Sequence, residues 1–216
     1  MPIEIIPSIL TNDPLKLTSM LEKCEGVVER VSVDIIDGKF VDNKTIEPDI
    51  ISDVETTLKI DFQLMVVEPV HWVEKCIRGQ ADRIIGHIEK MESQADFVAK
   101  VQEVGALIGL GLNLGTDISE IDSEVFSDLD VVLLMSSKVG FGGLPFAQEA
   151  LNKIKSLAKI RGSGNFHFRI QVDGGINQES IYNVYKAQAD EVSIGSMLFV
   201  GDLALNIEKL RKEAEK

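Results

Sequence analysis

The sequence predicts an α/β protein of the (β/α)8 barrel class. Three observations lead there: strand-like and helix-like hydrophobic periods alternate along the chain, 216 residues suit one such barrel, and polar residues recur where the strand-like segments stop. An open doubly wound sheet is the alternative. No G-x-G-x-x-G follows the first strand, which weakens it.

The elements follow in order. Ile3–Leu10 is short, apolar and β-branched, as a strand buried on both faces should be. Asp13 and Pro14 then read as an N-cap and first-turn proline of a helix to Cys24, with Leu15, Leu17, Met20, Leu21 and Cys24 on a broad apolar side. Arg30–Ile36 and Asp61–Val66 are the second and third strands, and His71 begins a helix. Arg83–Ile88 is the fourth strand, followed by a helix over Ser93–Val104 that Gly105 ends as a C-cap. Leu107–Leu112 and Asp130–Met135 are the fifth and sixth strands. Phe146–Ala158 is helical, Phe168–Val172 is the seventh strand and Glu179–Ala187 is helical again. Glu191–Ile194 is the eighth strand, and a helix over Asp202–Ala214 closes a single domain of residues 1–216.

Composition narrows the function. With 44% hydrophobic and 26% charged residues the chain can bury a sizeable core, and its apolar runs fall short of the roughly 20 residues of a membrane helix. The N-terminus has no signal-like pattern, so a cytoplasmic location is expected. Cys24 and Cys76 read as buried free thiols. A net charge of −13 without a Lys/Arg cluster argues against nucleic acid, so any anion site must be positive only locally.

A barrel carries its chemistry at the C-terminal ends of its strands, and that rule sorts the polar residues. Ser8 lies near the end of the first strand, Asp34 and Asp37 near the end of the second, Gln63 on the third and His87 on the fourth. Asn113 ends the fifth, Ser136, Ser137 and Lys138 the sixth, Asp173 the seventh and Ser196 the eighth. Three glycine-bearing turns share this mouth: Gly140, Gly142 and Gly143; Gly174 and Gly175; and Gly195 with Ser196. Backbone N–H groups in such turns can approach a phosphate closely, which lets an acidic protein hold an anion.

Several stretches taken together resemble the ribulose-phosphate 3-epimerase family. They are Pro7-Ser-Ile-Leu10, Val33-Asp-Ile-Ile-Asp-Gly-Lys-Phe-Val41 with Asn43, Leu64-Met65, Met135-Ser136 with Gly140-Phe-Gly-Gly143 and Phe146, and Val172-Asp-Gly-Gly-Ile-Asn177. Their order and spacing cover the chain as far as Gly195-Ser196. The resemblance implies a TIM barrel of the ribulose-phosphate-binding type, a pentulose phosphate substrate, usually a divalent metal and often a homo-oligomer. It also implies epimerisation at C3, with Asp34 and Asp173 as the two proton-transfer groups on opposite faces of the sugar. Asp37, beside Gly38, reads as the acid that shapes the turn.

One departure falls at the centre of the site. The resemblance puts metal-ligand histidines at positions 32 and 63, and here Ser32 and Gln63 stand there. With only Asp34 and Asp173 left of that set, zinc, iron or manganese is expected to be absent or weakly bound. A hard cation such as magnesium or calcium is the best such oxygens suit. His71 and His167 are expected away from the mouth, and His87 is expected to be structural or to contact substrate. Three readings follow: a metal-free epimerase whose enediolate is stabilised by Gln63, Ser8 and Lys138, with Met65 and His87 also at the substrate; a barrel with a different substrate or reaction; or a sugar-phosphate binder without catalysis. The decarboxylating and condensing relatives carry Asp-x-Lys-x-x-Asp, and Ile36 stands where that lysine would be.

Overall fold

The computed structural model describes residues 2–216. Eight parallel strands close a barrel in chain order: β1 (Glu4–Ile9), β2 (Arg30–Ile36), β3 (Lys59–Met65), β4 (Ala81–His87), β5 (Leu107–Leu112), β6 (Val131–Met135), β7 (Arg169–Asp173) and β8 (Glu191–Ile194), with β8 paired to β1. Parallel neighbours require crossovers, and these run outside the barrel. The helices are α1 (Pro14–Cys24), α2 (Val73–Arg78), α3 (Gln94–Glu103), α4 (Ala150–Gly164), α5 (Ile181–Lys186) and α6 (Leu203–Ala214). After β2 and β5 the described chain crosses through short 3-10 turns, Pro48–Asp53 and Ile118–Glu120, so strand and α-helix do not alternate all eight times. Among the described residues no helix is long and apolar enough to cross a membrane.

Local chemistry sets the boundaries. Asp13 Oδ1 accepts from the N–H of Leu15 at 2.9 Å, and Pro14 occupies the first turn, so α1 starts where expected. Its apolar side is narrower than expected. Leu17, Leu21 and Cys24 are buried while Leu15 is 82% exposed. Helix α4 begins at Ala150 rather than Phe146, because residues 144–147 are bound to the strand ends: the Ala147 N–H donates to Ser136 O at 2.8 Å. It continues past Ala158 to Gly164, where Asn165 takes a left-handed φ of 52° and caps it. Helix α5 begins at Ile181 rather than Glu179, since Asn177 Oδ1 holds the N–H groups of Glu179 and Ser180 in a turn of its own.

Two shells result. Between strands and helices lies a continuous apolar layer that includes Phe62, Phe97, Phe168, Leu110 and Ile170. Each such side chain, fully buried, contributes about 1.5–3 kcal/mol. Cys24 and Cys76 are free thiols in or against this layer, and burial pushes Cys24 up to about 12. The barrel interior is different. Its N-terminal end is filled by charge: Arg83 donates to Asp61 Oδ2 at 2.5 Å and to Glu191 Oε2 at 2.8 Å, and Arg30 holds the other Asp61 oxygen. One step higher, Gln171 Nε2 donates to Ser193 Oγ at 2.6 Å, and near the mouth Ile36, Met65, Ile85, Leu133 and Met135 form an apolar floor.

This buried network makes the first prediction. Arg83→Met leaves Asp61 and Glu191 facing each other without their main cation, and should cost about 3–5 kcal/mol of unfolding free energy in urea titrations. Replacing Asp61 and Glu191 by leucine in the same chain should recover most of that loss; no recovery would mean that Arg83 acts by its volume.

Candidate active site

A cavity of about 420 Å3 opens at the C-terminal end of the strands. Strand periodicity puts Ser8 of β1, Asp34 of β2, Met65 of β3 and Asp173 of β7 on its walls, together with Met135 and Ser193. Asp34 and Asp173 are separated around the ring by β8 and β1. Both carboxyls are buried, and the surroundings keep them protonated to unusually high pH. Burial and the neighbouring charge of Asp173 raise Asp34 well above the ordinary carboxylate range, against the hydrogen bond that Ser8 Oγ donates to Asp34 Oδ2 at 3.2 Å. Burial pushes Asp173 up to about 6, opposed by a hydrogen bond from Gln63, the charge of His87 and the Gly174 N–H. The backbone beneath Asp34 is fixed by Thr45, whose Oγ1 donates to Asp34 O at 2.7 Å and accepts from the Ile36 N–H.

The glycine turns form the rest of the rim. Gly174 and Gly175 have φ of 111° and 66°, and a Cβ on Gly175 would lie 2.3 Å from the Phe146 nitrogen. Ser136 Oγ donates to Gly174 O at 2.6 Å, so the loops after β6 and β7 are tied together. Asn43 Nδ2 donates to Gly140 O at 2.7 Å and anchors the other end of the β6 loop. By contrast, a Cβ on Gly142 or Gly143 would meet nothing within 4 Å. These two glycines line the cavity together with Gly140, Gly174, Gly175, Gly195 and Ser196.

Not every expected residue reaches that space. Gln63 and His87 are wholly buried and stand behind the cavity wall, joined to each other by a 3.2 Å contact between Gln63 Nε2 and His87 Nε2. Lys138 is exposed and places its ammonium 5.2 Å over the Phe141 ring, off the cavity lining. Asp37 shapes its turn. Its carboxylate accepts from the N–H groups of Val67, Phe40 and Lys39, which against the effect of burial hold it below its ordinary value. His71 and His167 are exposed and away from the mouth. Two features escaped the sequence reading: Glu89, which binds the Asn113 N–H and Thr116 Oγ1 at 2.6 Å each, and an arm of the cavity along α1 past Lys16, Met20 and Lys23.

The positions at which the resemblance places a metal carry only oxygen ligands. Ser32 Oγ, Asp34 Oδ1 and Gln63 Oε1 are buried without a hydrogen-bond partner, and Asp173 is the fourth. His87 supplies no nitrogen, because its Nε2 contacts Gln63 and its Nδ1 lies 3.3 Å from Glu89 Oε2. Zinc and iron, which favour imidazole in such sites, do not fit this set. Three uncommitted oxygens beside a carboxylate suit a hard cation.

Comparison with known proteins agrees with this layout. The model of the "Ribulose-phosphate 3 epimerase family" matches residues 4–199. The chain is 34% identical over 201 residues to a ribulose-phosphate 3-epimerase of Bacillus subtilis, covering 91% of this chain and 92% of that one. It is 31% identical over 211 residues to the corresponding Aquifex aeolicus protein, covering 96% and 95%. Among solved structures, 3-keto-L-gulonate-6-phosphate decarboxylase from Vibrio cholerae superposes with a TM-score of 0.75 at 12% identity, over 100% of this chain and 98% of that one. The 3-hexulose-6-phosphate synthase of Salmonella typhimurium does so with 0.68 at 12%, over 99% of each. At these identities the two structures show a shared fold.

The raised carboxyls also predict a pH dependence of stability. A group whose pKa is higher folded than unfolded favours the folded state below the unfolded value and loses that contribution as pH rises through the folded value. For Asp173 the window runs from about 4 to about 6, and the contribution lost is at most about 3 kcal/mol. Asp173→Asn should therefore gain stability relative to the parent chain between pH 4.5 and pH 7 in urea titrations, whereas a constant difference would place the Asp173 charge in a well-solvated site.

Proposed function

The chain belongs to the ribulose-phosphate 3-epimerase family, and from that premise we propose that it interconverts D-ribulose 5-phosphate and D-xylulose 5-phosphate, or a similar ketose phosphate, by proton transfer at C3 between Asp34 and Asp173. The observation that supports this reading is the pair of buried carboxyls on one cavity wall, both with raised proton affinity. Such a pair gives up its protons at higher pH than ordinary carboxyls do and passes through a state with one proton between them, which is the state a two-sided proton transfer needs.

The steps follow from that state. Asp173, ionised, takes the C3 proton next to the ketone; the enediolate so formed is short-lived because Asp34 delivers its proton to C3 from the opposite face, its O–H bond breaking as the new C3–H bond forms. The C3–H bonds broken and formed involve different protons, and the pair ends with its protonation states exchanged. The other epimer is processed in the reverse sense. Ser8, whose hydroxyl bonds Asp34, orients that carboxyl and is the polar side chain nearest it on the wall. Met65 and Met135 keep the floor apolar, which sustains the raised pKa values. The phosphate is assigned to the backbone of Gly142 and Gly143, Gly174 and Gly175, and Gly195 with Ser196, since the rim exposes backbone there and the lining of Asp34 and Asp173 would repel an anion. The net charge of −13 supports a protein without a nucleic-acid partner, and a cytoplasmic homo-oligomer that binds no membrane is the expectation retained from the sequence and the family resemblance.

No step requires a metal, and the donor set argues for that economy. The unpartnered oxygens of Ser32, Asp34 and Gln63 support one other reading, a hard cation bound at the same place. Incubation of ribulose 5-phosphate with the protein in deuterated water and excess chelator should place deuterium at C3. Loss of exchange on chelation, restored by magnesium, would assign those oxygens to a cation. Stoichiometric zinc or iron in the purified protein would overturn the reading of the ligand set.

Two further outcomes test the roles. Asp173→Asn should lower exchange by about 100-fold or more while competition by inorganic phosphate stays within about threefold; parallel loss of both would make Asp173 structural. The pH profile of kcat/KM should rise through about 6 and fall again where Asp34 ionises, and a flat profile from pH 5 to 8 would exclude the shared-proton pair.

A further inference from the structure

Strand β2 outruns its neighbour on one side. Its pairing with β1 ends at Ile9 and Val33, whereas against β3 it continues three residues further, to Ile36 and Met65. The carbonyl of Asp34 and the N–H of Ile36 lie on the same edge of the strand, where a neighbouring parallel strand would answer both with the N–H and the carbonyl of a single residue. Here one hydroxyl does so. Thr45 Oγ1 donates to Asp34 O at 2.7 Å and accepts from the Ile36 N–H at 2.9 Å, and the Thr45 N–H donates to Ile36 O at 3.1 Å. Thr45 thus stands in the place of the residue that β1 does not supply.

Thr45 is buried and is itself held from both sides. Lys44 before it forms an antiparallel bridge with Asp37, and the Ile46 N–H after it donates to Thr11 O at 3.1 Å. Two residues back, Asn43 Nδ2 donates to Gly140 O at 2.7 Å. The segment is therefore fastened to the chain leaving β1, to the end of β2 and to the turn after β6, and its hydroxyl gives the strand end a fixed support.

The residue that depends on this support is Asp34. Its carboxyl receives one long hydrogen bond, from Ser8 Oγ at 3.2 Å, and its Oδ1 has no partner. So loose a tether leaves the place of the carboxyl to the backbone that carries it. Without the Thr45 hydroxyl, the last residues of β2 would keep strand hydrogen bonds on the β3 edge alone and could tilt about that edge. A misplacement of about 1 Å between reacting groups can cost about 100-fold in rate.

We propose that Thr45 is a positioning residue that sets the reach of the Asp34 carboxyl into the cavity by completing the open edge of β2. It acts through the backbone and touches no substrate. The kinetic consequence rests on the epimerase reading; the bridging of the strand edge does not.

Two substitutions separate positioning from packing. Thr45→Val keeps the shape and removes the hydroxyl, whereas Thr45→Ser keeps the hydroxyl and removes a buried methyl. Both should lower the thermal midpoint, the first by leaving Asp34 O and the Ile36 N–H unpaired and the second by lost packing. Only the first should slow the reaction. At a temperature where both are folded, Thr45→Val should lower kcat for ribulose 5-phosphate by about tenfold or more with KM within about twofold, while Thr45→Ser stays within about threefold of the parent. A merely structural threonine would move the midpoints and leave both kcat values alone; that result, or an equal loss in both variants, would overturn the proposal. Hydrogen exchange gives a readout that needs no turnover. The Ile36 amide should be protected in the parent chain and in Thr45→Ser, and fast in Thr45→Val. A fast Ile36 amide in the parent chain would overturn the proposal even if Thr45→Val does not fold. If the parent chain exchanges deuterium into no ketose phosphate, the epimerase reading fails and the Ile36 amide alone decides whether Thr45 completes the strand edge.

Discussion

Inward-pointing side chains from eight strands share one closed space, so each polar group there must find its partner across the barrel or in a ligand. The two ends of this barrel meet that demand differently. At the N-terminal end, Arg83 and Arg30 answer Asp61 and Glu191, and Gln171 answers Ser193. Towards the mouth the partners run out. Ser32 Oγ, Asp34 Oδ1 and Gln63 Oε1 are buried and unpaired, and two carboxyls stand close enough for one charge to raise the other's pKa. Unsatisfied buried polarity costs stability, of order 1–3 kcal/mol for each group. Its concentration at one end marks where the fold carries strain for the sake of chemistry.

The same contrast explains how a chain of net charge −13 can hold an anion. Its basic side chains near the mouth are few: Lys138 lies over Phe141 of the β6 turn, and Lys16 and Lys23 of α1 reach one arm of the cavity. The turns themselves are tied through their carbonyls, by Ser136 on Gly174 and by Asn43 on Gly140. Gly175 cannot carry a Cβ because the Phe146 backbone occupies its place, whereas Gly142 and Gly143 could do so sterically. The first glycine is there for the protein's own packing. The other two leave room for something else.

Strand order and the polar mouth were legible in the sequence because both follow from a short period and a topology with few alternatives. Helix ends were less so. The expected end at Ala158 was too early: α4 runs through Gly162 and Gly164 to a cap at Asn165, and its buried face at Ile154, Leu157 and Ala158 outweighs a propensity cost of about 1 kcal/mol for each glycine. Leu15 matched the apolar pattern of α1 and lies exposed, because the pattern gives direction around the helix without saying how far the neighbouring surface extends. Depth was hidden in the same way. Periodicity assigns Gln63 and His87 to the barrel interior, but only their contact with each other shows that they sit behind the wall. Glu89 gave no signal at all, as its surroundings combine its neighbour His87 with Asn113 and Thr116 of the loop after β5.

The two exchanged positions, Ser32 and Gln63, alter the chemistry of the carboxyls more than they alter the fold. A divalent cation held between Asp34 and Asp173 would draw both pKa values down and keep both groups ionised, so that it would carry the polarising role. With an amide and a hydroxyl in place of imidazoles, burial and mutual repulsion outweigh what opposes them. One carboxyl then keeps a proton that it would otherwise lose. In the proposed transfer, that retained proton is the one delivered to the opposite face of C3. The two carboxyls are not equivalent in this respect: Ser8 Oγ bonds Asp34, whereas the Gly174 N–H and Gln63 oppose burial at Asp173 alone.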